Sequence, residues 1–250
     1  MLLTTKGIVI KEQTIGEHDK LVTILTEDNG VIRAFVTKAK NIKNKFLSVT
    51  ELFAFSRLQI YSGREKYIIN NGEVIDLFFD IRNDLEKLAL AQFFCEVVFV
   101  INPDNIQSSS ILRLLLNCLS FLSKGSKGPE LIKAIFELRI LTISGFMPDL
   151  IMCKKCNSYN SEIMHFSIDS SNILCNNCFT SEPDCSYAPL SAGVFSAMRH
   201  IIYSDFNKLF SFDLSDTAIK NLSKISEDYF KSKIDYKFKT LDFYHSLINL

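Results

Sequence analysis

The sequence predicts an α+β protein: a small β-barrel at the N-terminus, then an α-helical domain carrying an inserted metal-binding module. Three observations carry this. Five short β-branched or alternating runs, separated by turn signals, fall within the first 79 residues. From residue 81 onward the apolar spacing changes from two to three and four. Two Cys-x-x-Cys pairs, Cys153/Cys156 and Cys175/Cys178, then interrupt the helical pattern.

The chain's 250 residues suffice for one large domain or two to three small ones, and 47% hydrophobic content supplies a sizeable core. Its 28 basic and 28 acidic residues cancel, so any basic patch has to be local. No signal peptide is expected from the opening residues. The longest apolar stretch, residues 88–101, is broken by Gln92 and Glu96 and is too short for a membrane span. Seven cysteines, four in metal spacing, point to thiolate ligands in a reducing cytoplasm rather than to disulfides.

Gly7-Ile-Val-Ile10 and residues 21–26 read as strands, and Asp28-Asn-Gly30 as a tight turn into a third, residues 31–36. In that third run Val31, Arg33 and Phe35 share one face, with Ile32, Ala34 and Val36 on the other. Residues 52–61 alternate, with Leu52, Ala54, Ser56, Leu58 and Ile60 together; Ser62-Gly63 turns the chain into Tyr67-Ile-Ile69 and Glu73-Val-Ile-Asp76. An OB-like barrel fits the strand count, and an SH3-like barrel fits almost as well. Between Asp28 and Glu51 there is no acidic residue, while Arg33, Lys38, Lys40, Lys43 and Lys45 stand there with Asn41, Asn44 and Phe46 among them. Such a stretch suits phosphate contact, or simply a solvated loop; Phe35 and Phe46 suit base stacking or the core.

Helices are expected from about residue 85 to Asn102-Pro103, over residues 110–122, and from Pro129 to Gly145. Cys95 and Cys118 lie on apolar helix faces and read as core residues. Ser191 is a fair N-cap for the next helix, and a last long helix starts near Asp216. The tail beyond it carries Lys231, Lys233, Lys237 and Lys239 against Asp235.

Four thiols in two Cys-x-x-Cys turns match a closed, tetrahedral, structural Zn²⁺ site. Lys154 and Lys155 offset part of its negative charge, and Asn157 tolerates the left-handed turn after the first pair better than Phe179 does after the second. The ion would fold a segment without its own core, since residues 158–162 and 169–172 are polar. Cys185 and His165 are alternative ligands with poorer spacing. A redox dithiol competes less well, because there are two pairs. No phosphate loop, nucleophile elbow or His-Glu-x-x-His motif is present, which favours a binding protein over an enzyme.

Taken together, the chain resembles the RecO family of bacterial recombination mediators. The resemblance runs through Gly7-Ile-Val-Ile-Lys11, Gly16-Glu-His-Asp-Lys-Leu-Val-Thr23, Lys38-Ala-Lys40 to Lys45-Phe46, and Glu51-Leu-Phe53. Its most specific part is Phe136-Glu-Leu-Arg139 with Gly145-Phe-Met-Pro-Asp-Leu150 leading into Cys153-x-x-Cys156; Leu190-Ser191 and Lys239-Thr-Leu-Asp-Phe243 complete it. The resemblance implies an OB-fold DNA-binding domain over residues 1–79, a helical domain over 80–150 and 188–250, and a zinc-binding insertion over 151–187. It also implies a non-enzymatic mediator that binds single- and double-stranded DNA, anneals strands and acts with RecR. Together these would help a RecA-type recombinase replace SSB, whose C-terminal tail is an expected contact. Two departures stand out: Ala39 where the family commonly has Gly, and Lys in place of Arg, which lacks the planar fork. These imply a modest DNA affinity that leans on RecR. A protein-interaction scaffold with secondary DNA contact is the alternative, and a nuclease or thiol oxidoreductase a more remote one.

Overall fold

The computed structural model describes residues 1–16, 19–36, 47–63, 66–102, 108–179 and 187–248. They form two compact units: Met1–Gly125 with Phe238–Leu250, and Ser126–Lys237.

The first unit is built on a closed barrel of β1 (Leu2–Ile15), β2 (Asp19–Thr26), β3 (Val31–Val36), β4 (Phe55–Ser62) and β5 (Tyr67–Asp76). The strands close in the order β1-β2-β3-β5-β4, antiparallel except where β3 meets β5. This is an OB-like barrel. The Asp28-Asn-Gly30 turn forms as its sequence requires: Gly30 takes φ 62° and its carbonyl accepts from the Thr26 N–H at 2.8 Å. Glycine is also required at Gly7, where a Cβ would lie 2.7 Å from the Ile24 side chain and 2.9 Å from the Leu25 carbonyl oxygen.

Alternation decides what fills the barrel. Val9, Val22, Ile24, Ile32, Ala34, Val36, Leu58, Ile60 and Ile69 point inward and pack with Val49. The outer faces of β1, β2 and β3 are apolar as well, and Ile8, Ile10, Leu25 and Val31 are buried there. Helices α1 (Leu85–Ile101) and α2 (Ser109–Lys124) pack against β1 and β2 respectively. Asp84 caps α1, its carboxylate accepting from the N–H groups of Glu86 at 3.0 Å and Lys87 at 3.1 Å. Cys95 and Cys118 are buried core residues, their thiols pushed up by burial.

The lysines expected in a tail divide between the helix Asp216–Lys233, which holds Lys231 and Lys233, and the turn into a further short helix, α6 (Lys239–Ile248), which the sequence does not anticipate and which returns to α1. Phe238 meets Phe93 edge-on at 5.6 Å. The Glu96 carboxylate accepts from the Thr240 N–H at 3.2 Å and from the Thr240 hydroxyl, capping α6 from another helix. Tyr244 donates to Glu86 Oε1 at 3.4 Å.

The second unit contains α3 (Pro129–Ile143), a sheet of β6 (Ile163–Ser167), β7 (Asn172–Cys175) and β8 (Tyr187–Ser191), then α4 (Ala192–Tyr203) and α5 (Asp216–Lys233). The sheet, in order β7-β6-β8, overturns the expectation of a cysteine segment without its own core. Met164, Phe166, Ile173, Leu174 and Leu190 are buried, and Phe166 meets Tyr229 of α5 edge-on at 5.1 Å. Ser191 caps α4 as expected, accepting from the Val194 N–H, and Gly145 follows α3 at φ 90°.

Helices α3 and α5 share a buried charge network. Lys133 Nζ lies 2.9 Å from Glu137 Oε1 and 2.7 Å from Glu227 Oε2, and the Ser226 hydroxyl donates to Glu137 Oε2 at 2.7 Å. Burial alone would lower the Lys133 ammonium, but the carboxylates of Glu137 and Glu227 raise it. Burial also raises the Glu137 carboxyl, against the pull of Lys133. Lys231 extends the network to the surface through Glu227 Oε1 at 2.6 Å. Lys133→Ala strands a buried carboxylate and should cost about 3–5 kcal/mol in urea unfolding. Lys231→Ala removes an exposed partner and should cost about 0–1 kcal/mol in the same assay.

Candidate metal centre and nucleic-acid face

The strands and turns around β7 bring the four cysteines together. Before the first pair, the chain runs along the outer edge of β7: the Asp149 N–H donates to Ser171 O at 2.8 Å and the Lys154 N–H to Ile173 O at 2.9 Å. The Cys153 N–H donates to Ser158 O at 2.8 Å, and the turn closes with the Asn157 N–H on Cys153 O at 2.9 Å. Asn157 takes φ 60°, the left-handed conformation expected of it. Cys175 ends β7 and is placed by its register opposite Met164. The N–H groups of Cys178 and Phe179 both donate to Cys175 O at 3.0 Å, so this turn closes without a left-handed residue.

All four sulfurs lie within 4.8 Å of one another, and Cys156 Sγ is 3.6 Å from Cys175 Sγ. A tetrahedral ion with metal–sulfur bonds of about 2.3 Å places its ligands about 3.8 Å apart, so the cluster could hold one metal ion. Four protein donors complete such a shell and leave no position for a reacting water. His165 stands outside the cluster: its Nε2 is 3.1 Å from Asn176 Oδ1 and its ring stacks on Phe179 at 3.8 Å. Cys185 lies outside the described residues.

The thiols hold protons unevenly. Burial pushes Cys153 up, but N–H groups of Cys175, Cys156 and Lys155 outweigh it and bring the thiol down to about 6. Cys178 is pushed up to about 12 by its hydrogen bonds with Cys156 and Cys175. A bound cation displaces whatever protons remain.

Among the residues expected to contact DNA, Arg33 is exposed on the outer face of β3. Its guanidinium carbon lies 5.7 Å from the centroid of Phe99 in α1, and Lys11 Nζ lies 5.1 Å from the same centroid. Both follow from register, since Lys11, Thr23 and Arg33 form one row across β1, β2 and β3. Phe35 is half-buried on that outer face, opposite Leu21 and Ile68, and is not part of the barrel core. Lys38, Lys40, Lys43, Lys45 and Phe46 lie outside the described residues; the described chain leaves β3 at Val36 and resumes at Leu47.

Comparison with known proteins matches both parts of the chain. Residues 1–78 match the family described as "Recombination protein O N terminal" and residues 82–242 the family "Recombination protein O C terminal". The chain belongs to the RecO family. A DNA repair protein RecO of Acetivibrio thermocellus is 35% identical over 245 residues, 98% of this chain and 97% of that protein. One from Thermoanaerobacter sp. is 27% identical over 249 residues, 100% of this chain and 99% of that protein. RecO-family membership makes this a DNA repair protein, and no helix among the described residues is long and apolar enough to cross a membrane.

The motif residues behind the resemblance have structural tasks. Phe136 is buried, Glu137 joins the α3–α5 network, and Arg139 donates to Ile201 O at 3.1 Å and Ile202 O at 2.6 Å, satisfying carbonyls at the end of α4. Sequence reasoning missed Arg199, whose hydrogen bonds reach the chain on both sides of the first cysteine pair; a lone arginine in an amphipathic helix carries no signal of this. Cys153, near 6, is largely deprotonated before metal arrives. Metal uptake by the metal-free protein at pH 7.5 should therefore release fewer than four protons per ion, measured with an indicator dye in weak buffer; release of four would contradict it.

Proposed function

We propose that this RecO-family protein is a recombination mediator that binds single- and double-stranded DNA and anneals complementary strands. It acts with RecR to help a RecA-type recombinase load onto single strands coated with SSB. The observation that carries the reading is family membership along nearly the whole chain, barrel and helical parts alike. Supporting it, the lysine-rich segment with Lys38, Lys40, Lys43, Lys45 and Phe46 follows β3, which carries Arg33 and Phe35, in the sequence. Lysines there neutralise phosphates without reading bases, so binding is salt-sensitive and nearly sequence-independent.

The ion assigned to the four cysteines is Zn²⁺, in a structural role: an all-thiolate tetrahedron suits zinc and brings no catalytic position. The protein performs no covalent chemistry and works in the cytoplasm. A second reading, a scaffold that holds the SSB C-terminal tail with DNA contact secondary, draws on the exposed Phe146, Met147, Ile151 and Met152.

Replacing Lys40, Lys43 and Lys45 together by Glu should weaken binding to single strands steeply. It should also flatten the dependence of log K on log salt by about 2, from ~0.7 per lost phosphate contact. Unchanged affinity at low salt sinks the assignment of this segment. Annealing of SSB-coated strands, with and without RecR, tests the mediator reading; no annealing in either case, with capture of SSB intact, favours the scaffold.

A further inference from the structure

The two cysteine turns are held by different means. Cys175 and Cys178 hang from β7, whose position is fixed by pairing with β6. Cys153 and Cys156 sit outside any strand, in a loop where Lys154, Lys155, Cys156 and Asn157 are all exposed. Backbone hydrogen bonds to β7 and within the turn account for part of its order; side chains of α4, Arg199 above all, add to it.

Arg199 donates four of the five N–H bonds a guanidinium has. Its Nε donates to Leu150 O at 2.7 Å, and Nη2 to Ile151 O and to Tyr159 O, the latter at 2.9 Å. Nη1 donates to Asn160 Oδ1 at 3.2 Å. Leu150 and Ile151 stand three and two residues before Cys153; Tyr159 and Asn160 stand three and four residues after Cys156. One planar group therefore grips both flanks of the loop. The grip is itself anchored: the guanidinium carbon lies 4.1 Å from the centroid of Phe195, a buried residue one turn earlier on α4. One turn later, the Tyr203 hydroxyl accepts from the Leu150 N–H at 3.2 Å.

We propose that Arg199 is a positioning residue for the metal. It fastens both ends of the Cys153–Cys156 loop to α4, so that two of the four sulfurs stand in place before the ion arrives. An ion that must order its own ligands spends binding free energy on the loop; one that finds them ordered does not. Fork geometry is essential to this, because a lysine ammonium has no rigid plane with which to serve four acceptors on two chain segments.

The inference rests on zinc being held by the four cysteines, and the test separates the two claims. Full-length wild type, Arg199→Ala, Arg199→Lys and Arg139→Ala are purified, assayed for zinc, and followed as an excess of chromophoric chelator strips the ion. Arg139→Ala is the control, since it unties the end of α4 and makes no hydrogen bond to the cysteine loop. Arg199→Ala should lower zinc affinity and speed release by about 10–100-fold. Arg199→Lys should stay closer to that variant than to wild type, and it serves as the readout if Arg199→Ala does not fold. Arg139→Ala should lower the unfolding temperature and leave release near the wild-type rate. Zinc-loaded wild type with unchanged release in both Arg199 variants overturns the positioning role alone. So does Arg139→Ala releasing zinc as fast as Arg199→Ala. Wild type with no zinc overturns the metal assignment, and the positioning role with it.

Discussion

Part of the outer face of β1, β2 and β3 is apolar as well as the inner face, and this constraint shapes the first unit. A barrel needs only its inner face filled, and Val9, Val22, Ile24, Ile32, Ala34 and Val36 do that. Ile8, Ile10, Leu25 and Val31 on the outside would face water if the barrel stood alone. Burying four such side chains contributes roughly 6–12 kcal/mol, about the net stability of a whole domain. The helices that pack on β1 and β2 are therefore part of the barrel's stability. They also take up sheet surface that in other OB barrels receives the ligand. Lys11 and Arg33 flank Phe99 of α1, so the helix occupies that part of the outer face.

The second unit solves a different problem. Its sheet has three short strands, and its apolar face is buried. Phe166 packs on Tyr229 from one side, and the four cysteines gather beside β7. Between α3 and α5 the unit buries Lys133 with Glu137 and Glu227 instead of an apolar contact. A slip between these helix faces would leave a buried charge without its partner.

The sequence announced some of this and hid the rest for physical reasons. Apolar or alternating runs ended by Asp28-Asn-Gly30 and Ser62-Gly63 made the barrel readable, although an SH3-like barrel has the same local pattern and only β3 pairing with β5 decides between them. The outer ends of β1 were not readable, since residues 11–15 are exposed and carry no apolar alternation. β6 was hidden because its buried apolar residues, Met164 and Phe166, are too few for a period to show. α6 was hidden because its fully buried face is Leu241 and Tyr244, and its cap is Glu96, far back in the chain. The cysteine cluster was the opposite case: spacing alone predicted a proximity that the fold then produced. The lysines of the proposed DNA segment were legible as charge, but charge does not specify a conformation.

The return of α6 to α1 bears on the order of synthesis. Glu96 and Thr240 are 144 residues apart, so the first unit cannot be completed until nearly all of the chain has left the ribosome. The barrel, with helix α1 still lacking its partner, has to wait while the cysteine-bearing unit is made. That unit is continuous in sequence, and all of its residues are available once residue 237 emerges. The segment that follows the second unit thus finishes the first, and the second unit can be folded before the first is complete.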